Sequence, residues 1–159
     1  MRRIWILLLL LAISCQLSAI SGQQTVDTCL LIKEDKLSIA KQYYDSAYRY
    51  LANHDYMSSL PKLIKVAELI ESLPEDMSDE EIHLTSRAYY QMGEVFSRMF
   101  INSYAAETAL RASQYQDMRQ DSVWMLYTKI RLAQSYQTMS EHDAVEFYIK
   151  QIIDNGASP

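Results

Sequence analysis

Tyr89-Tyr90-Gln91-Met92-Gly93-Glu94-Val95-Phe96-Ser97-Arg98-Met99-Phe100-Ile101-Asn102-Ser103-Tyr104-Ala105-Ala106-Glu107-Thr108-Ala109-Leu110-Arg111-Ala112 is the stretch from which the architecture can be read. Gly93 is followed three residues later by the bulky Phe96, and then by the small Ala105, Ala109 and Ala112. Small residues stand where two helices must approach closely, and large ones where a knob is needed. That is the pattern of a helix–turn–helix unit in which neither helix buries its apolar face alone.

The composition agrees with an all-α chain. Of 159 residues only 3 are Gly and 3 are Pro, and helix-favouring residues abound. The length suffices for one domain with a core of its own. Twelve tyrosines suit a helical array, where the ring fills space and the hydroxyl still reaches water. A net charge of −5 argues against a nucleic-acid surface, which needs basic residues to displace counterions.

The first residues read as an address. Arg2-Arg3 precedes an apolar run from Ile4 to Ile13, too short for a span of ~20 residues but suited to a secretory signal core. Two processing points are readable. Cleavage after Gly22 leaves Gln23 first; alternatively, Ala12-Ile13-Ser14-Cys15 resembles a bacterial lipoprotein box and makes Cys15 a lipidation candidate. An uncleaved anchor is the third option. The expected division is a signal over 1–22 and a helical domain over 23–159. Losing Arg2 and Arg3 takes the charge from −5 to −7 and leaves Cys29 without a disulfide partner.

Helical periodicity runs through the remainder. Leu37, Ala40, Tyr44, Ala47, Tyr48 and Leu51 share one face, and Asn53-His54-Asp55 interrupts it. Tyr56 opens the next segment, whose Pro61 is tolerable if Ser58 or Ser59 caps the helix. Leu60, Leu63, Ile64, Ala67 and Ile70 form its apolar face. Ser78 with Glu81 is a capping box for a helix to about Phe100. Asn102 or Ser103 caps the fourth helix, which runs to about Met118. Val123–Met139 is the fifth, with Trp124, Tyr127, Ile130, Leu132, Ala133 and Tyr136. Ser140 with Asp143 caps the sixth, and Asn155-Gly156 stops it. Six helices make three antiparallel pairs.

The pairs align on one another. Gly93, Phe96 and Ala105 of the second match Ala47, Tyr50 and Ser59 of the first. In the third, Ala133 and Tyr136 match, but Ala144 comes eight residues after the knob instead of nine, so that turn is expected to be one residue shorter. Over Lys36 to Ile153 this resembles the tetratricopeptide repeat, best at Tyr89, Met92, Gly93, Phe96, Ala105 and Ala112. The departures are real. The units are 46 residues apart from Ala47 to Gly93 and 40 from Gly93 to Ala133, against ~34 in that family. Only one unit carries the Gly. Ala109 stands where an aromatic is usual, and Gln151 where Ala is usual.

The resemblance implies a right-handed solenoid of three helix pairs whose first helices line a concave groove for a protein or peptide. On that alignment the groove residues are Lys41, Tyr44 and Tyr48, then Arg87, Tyr90, Glu94 and Arg98, then Tyr127, Gln134 and Gln137. Tyr and Arg carry binding energy most often, and Arg87 and Arg98 suit two-pronged carboxylate contacts. Helically spaced tyrosines also serve as core, so Tyr44 and Tyr48 have a packing role open to them.

Nothing in the sequence spells a reaction. Glu80, Glu81 and His83 cluster at a helix start, where acids serve the dipole. The three histidines are far apart and no Gly-x-Ser-x-Gly elbow occurs. No enzyme activity, metal or cofactor is expected. The expectation is an exported bacterial helical-repeat protein of the periplasm or envelope that binds a protein or peptide. It touches the membrane only through a lipid anchor or a downstream segment. Two further readings are the periplasmic sensor region of a membrane-bound regulator, and an outer-membrane lipoprotein for nutrient capture.

Overall fold

A computed structural model describes residues 33–72 and 77–156. The expected signal segment, Cys15 and Cys29 lie outside the described residues. The chain divides into two compact units, Met1–Lys36 and Leu37–Pro159. Of the first, residues 33–36 are helical; the architecture that follows is that of the second.

Six helices and no strand occur among the described residues. α1 covers 33–52, α2 Tyr56–Glu71, α3 Asp79–Arg98, α4 Asn102–Arg119, α5 Ser122–Thr138 and α6 His142–Gly156. Packing runs between sequence neighbours: α2 on α3, α3 on α4, α4 on α5 and α5 on α6. α3 also touches α5.

The helix starts show what the local sequence controls. Ser78 and Glu81 form the expected capping box: the Ser78 amide donates to Glu81 Oε2 at 2.6 Å and the Glu81 amide to Ser78 Oγ at 3.4 Å. Asp79, Glu80 and Glu81 occupy the first turn and Arg98 the last, matching the helix dipole. At α2 the cap differs from the expectation. Asp55, not Ser58 or Ser59, closes the end by accepting from the Ser58 amide at 3.1 Å. Pro61 therefore sits inside the helix, beyond its first turn, with its ring exposed. The Ser59 hydroxyl instead donates to the Tyr56 carbonyl at 2.9 Å. The reason is positional: only Asp55 precedes the first free amides.

One turn closes all three helix pairs. Each consists of three residues between helices, 53–55, 99–101 and 139–141. The amides of Asp55, Ile101 and Glu141 donate to the carbonyls of Tyr50, Phe96 and Tyr136, at 2.9, 2.9 and 3.0 Å. Those acceptors are the three aromatic knobs aligned from the sequence. His54, Phe100 and Ser140 hold the left-handed conformation at φ 58°, 60° and 62°, as helix-terminating turns require. The third turn is thus not shorter, as the Ala144 spacing suggested; Val145, not Ala144, is the backbone equivalent of Ser59 and Ala105, each amide bonding the residue four back. Ser140 accordingly ends α5 and does not cap α6. The side chain that meets Tyr136 is nevertheless Tyr148, stacked at 5.8 Å and 7°.

Two apolar cores result. The larger joins α1 to α4 through Ala40, Ala47, Leu63, Val66, Ile70, Ala88, Val95 and Ala112, all fully buried. Burying Leu63 or Ile70 contributes about 1.5–3 kcal/mol each. The smaller consists of Ala106, Ala109 and Leu132, with Tyr136, Met139 and Tyr148 against it. α6 adds no fully buried side chain among its described residues. Tyr127 and Ile130 of α5 are 51% and 36% exposed. Glu71 fastens the C-terminus of α2 to α3 and α4. It accepts from Tyr89 at 2.6 Å and Tyr115 at 2.9 Å, while Arg111 donates to the Tyr89 hydroxyl at 3.1 Å.

Gly93 positions the site. A Cβ there would lie 3.2 Å from Thr108 Oγ1, 3.3 Å from the Ala105 carbonyl oxygen and 3.4 Å from Arg131 Cδ. The missing side chain lets α4 close on α3 and lets the Arg131 stem from α5 cross beside it.

Candidate functional site

Residues 87, 91, 94 and 98 recur at steps of three and four, so they share one stripe of α3. Residues 124, 127, 131 and 134 do the same on α5. The α3–α5 contact brings the two stripes together.

Arg131 sits at the junction. Its guanidinium donates to the Tyr90 hydroxyl at 3.2 Å and lies 4.9 Å from that ring's centre. It also approaches Glu94 Oε2 at 3.6 Å, and Arg98 reaches the other Glu94 oxygen at 3.5 Å. One carboxylate thus faces two arginines. The Arg131 side chain retains 14% of its exposure, against 62% for Arg98, so the Arg131 contact is the less screened of the two. Trp124 meets Tyr90 edge-on at 5.2 Å and Tyr127 at 5.8 Å. On its face lies the guanidinium of Arg87, 3.9 Å from the ring centre, a close cation–π stack.

Toward α1 the same face continues. Tyr44 is partly buried, and its hydroxyl lies near Arg87 and Gln91 without meeting hydrogen-bond geometry with either. Burial raises its pKa, with the Arg87 charge opposing. Tyr48, Gln91, Glu94 and Arg98 line a cavity of about 290 Å³ with Leu51, Ala52, His54 and Tyr56. The His54 Nδ1 and the Tyr56 hydroxyl are 3.2 Å apart at its wall. Lys41 pairs with Glu80 at 2.7 Å, both half exposed, a contact worth little by itself.

Contacts therefore link eight of the ten residues singled out from the sequence to this face: Lys41 through Glu80, Tyr44 through Arg87, Tyr48 with Glu94 and Arg98 around the cavity, and Arg87, Tyr90 and Tyr127 through Trp124. Gln134 and Gln137 lie exposed farther along α5. Sequence reasoning did not single out Arg131, Gln91, His54 or Trp124 for this face. The signal for Trp124 and Arg131 was their spacing from Tyr127, three before and four after.

His83 lies one helical turn before Arg87. Its pKa is lowered, by burial first and then by the charges of Arg119 and Arg87, with Asp121 and Glu80 opposing.

Among the described residues no group of His, Cys, Asp and Glu is arranged to hold a metal ion. No described helix is long and apolar enough to cross a membrane. Searches against protein-family models and against curated protein sequences return no match to this chain.

Proposed function

We propose that the chain is an exported helical-repeat scaffold that holds a protein or peptide segment against α1, α3 and α5. On this reading the three pairs are tetratricopeptide-like units stacked as a right-handed solenoid, and the odd-numbered helices line its concave side. Two observations support the stacking: the common turn and the neighbour-to-neighbour packing, with α3 also touching α5. Export rests on the sequence of residues 1–22.

The observation that carries binding is the run of tyrosine, tryptophan and arginine from Tyr48 to Tyr127 across three helices. Aromatic and guanidinium groups give large contact area with directional hydrogen bonds, and they dominate measured interface energies. An extended segment laid across the odd helices would meet the cavity beside Tyr48 and Arg98, then Tyr90, then the Arg87–Trp124 stack.

The test is selection of displayed random peptides on the full chain and on an Arg87→Ala, Tyr90→Ala, Arg98→Ala variant. Peptides enriched by the parent are expected to lose at least roughly tenfold in affinity for the variant, as for loss of a hot-spot residue. Equal enrichment by both proteins would overturn the assignment of this face.

A further inference from the structure

α4 and α6 each pack on α5. The short link 120–121 and the turn 139–141 make both antiparallel to it. The C-terminal ends of α4 and α6 therefore stand with the N-terminus of α5 at one end of the array. A cavity of about 630 Å³ opens there. Val123, Met125, Leu126 and Tyr127 of α5 give it an apolar wall, and Asp117 of α4 and Asp154 of α6 line it as well. None of these six residues is fully buried, so solvent and solutes reach them. A hollow of about 300–1,000 Å³, mostly apolar with a few polar groups, has the make-up of a small-molecule site.

The two carboxylates run against the local electrostatics. Asp117 is in the last turn of α4 and Asp154 in the last turn of α6, where the helix dipole disfavours negative charge. Arg119 offsets the first, but the last turn of α6 holds no basic residue. Neither carboxylate has an ion pair or a side-chain hydrogen bond among the described residues. The N-terminus of α5 does not answer them, because the Asp121 carboxylate already accepts the Trp124 amide at 3.3 Å. Lys129 lines an adjoining cavity of about 210 Å³ that shares Asp117 and Met125, without coming within ion-pair distance of that carboxylate. Local rules are most often broken where a site needs it.

Two unpaired acids at two helix C-termini make the cavity negative, while its wall is apolar. The complement is a cation that carries an apolar body. A metal ion is a poor match: it gains nothing from the wall, and among the described residues no group of His, Cys, Asp and Glu could hold one.

We propose that this cavity binds a small organic ammonium ion, its charge held by Asp117 and Asp154 and its apolar body laid on Val123, Met125, Leu126 and Tyr127. The half-exposed Tyr127 ring adds a face for the cation. The site does not rest on the peptide reading of the α3–α5 face; Tyr127 is the residue common to both.

The experiment follows the Met125 methyl signal of the full chain by NMR, identified by its loss in Met125→Leu. The probes are phenylbutylamine, the isosteric but uncharged phenylbutanol, and a capped Leu-Lys-Leu tripeptide. The amine is expected to shift the signal with a Kd of about a millimolar or lower, and to bind roughly tenfold tighter than the alcohol. Asp117→Asn and Asp154→Asn should each reduce that preference about threefold, as for exposed charges, and together abolish it. Val123→Ser should weaken amine and alcohol alike. Should an asparagine variant fail to fold, the parent decides: its preference for the amine must fall as salt is raised.

No binding of the amine up to about 10 mM, equal binding of amine and alcohol, an unmoved Met125 methyl, or a preference that survives the double variant would overturn the proposal. Tighter binding of the tripeptide than of the amine would overturn the small-molecule occupant in favour of a partner's lysine. An Arg87→Ala, Tyr90→Ala, Arg98→Ala variant should bind the amine as the parent does, so failure of the peptide groove leaves this site standing.

Discussion

Arg87 and Tyr89 are two residues apart, which places them on nearly opposite sides of α3, roughly 200° round the helix. Each anchors a polar cluster, and the clusters are built on opposite principles. On the Tyr89 side a carboxylate receives two hydroxyls, an arginine donates to one of them, and the rings of Tyr89 and Tyr115 stack at 5.9 Å and 10°. On the Arg87 side the guanidinium lies flat on Trp124 at 3.9 Å, and its Nε is buried without a hydrogen bond. The first cluster is closed and belongs to the fold, joining the end of α2 to α3 and α4. The second is a stack of cation on aromatic ring, at the place where α3 meets α5.

The largest effect that tests the contrast is Tyr89→Ala. The ring is 5% exposed, and its loss removes both packing and the clamp. Denaturant unfolding should show a cost of about 3–5 kcal/mol, as for other large-to-small core changes. A cost below ~1 kcal/mol would mean that the closed cluster is not structural.

Alkaline pH is the second test. Burial first, then the bond to the Glu71 carboxylate, raises the pKa of both Tyr89 and Tyr115 above the ordinary tyrosine value. Between about pH 10 and the higher folded value, the unfolded chain has lost these protons and the native one has kept them. Their contribution is therefore complete below pH 10 and is lost as pH rises further. Melting temperatures should fall steeply above pH 10, and less steeply in Tyr115→Phe.

At neutral pH, Tyr115→Phe should cost about 1 kcal/mol, the net worth of one hydrogen bond at a partly exposed carboxylate. The smallest change is expected at the Arg87–Trp124 stack. Arg87→Gln should alter stability by less than about 1 kcal/mol, because the lost stack on Trp124 is offset by removal of a buried donor without a partner. A loss as large as that of Tyr89→Ala would make Arg87 part of the fold and erase the distinction between the two sides.

What the sequence made legible was local. Ser78 and Glu81 are three residues apart and cap their helix as read. Tyr50, Phe96 and Tyr136 occupy one place in one turn because the carbonyl of each knob closes it. Errors entered where a local pattern had a competitor. Ser58 and Ser59 resembled caps, but Asp55 stands where the free amides are. Ala144 resembled a third Ala105, but hydrogen bonding assigns that backbone place to Val145. The candidate site was partly legible. Stripe spacing found Arg87, Glu94 and Arg98, since one helix fixes their relation. The bond of Arg131 to Tyr90 was not readable, because that pair depends on which helix comes to lie beside α3. No periodicity within either helix encodes it.

His54, Phe100, Gln120 and Ser140 all adopt positive φ without being glycine, at a strain of about 1–2 kcal/mol per residue. All four lie at helix junctions, apart from the Glu71 clamp and the Arg87–Trp124 stack. At Phe100, Gln120 and Ser140, glycine would release that strain while leaving the arginine face unchanged. The fold thus carries a reserve of robustness in its corners, open to engineering or drift without disturbing the face where α3 meets α5.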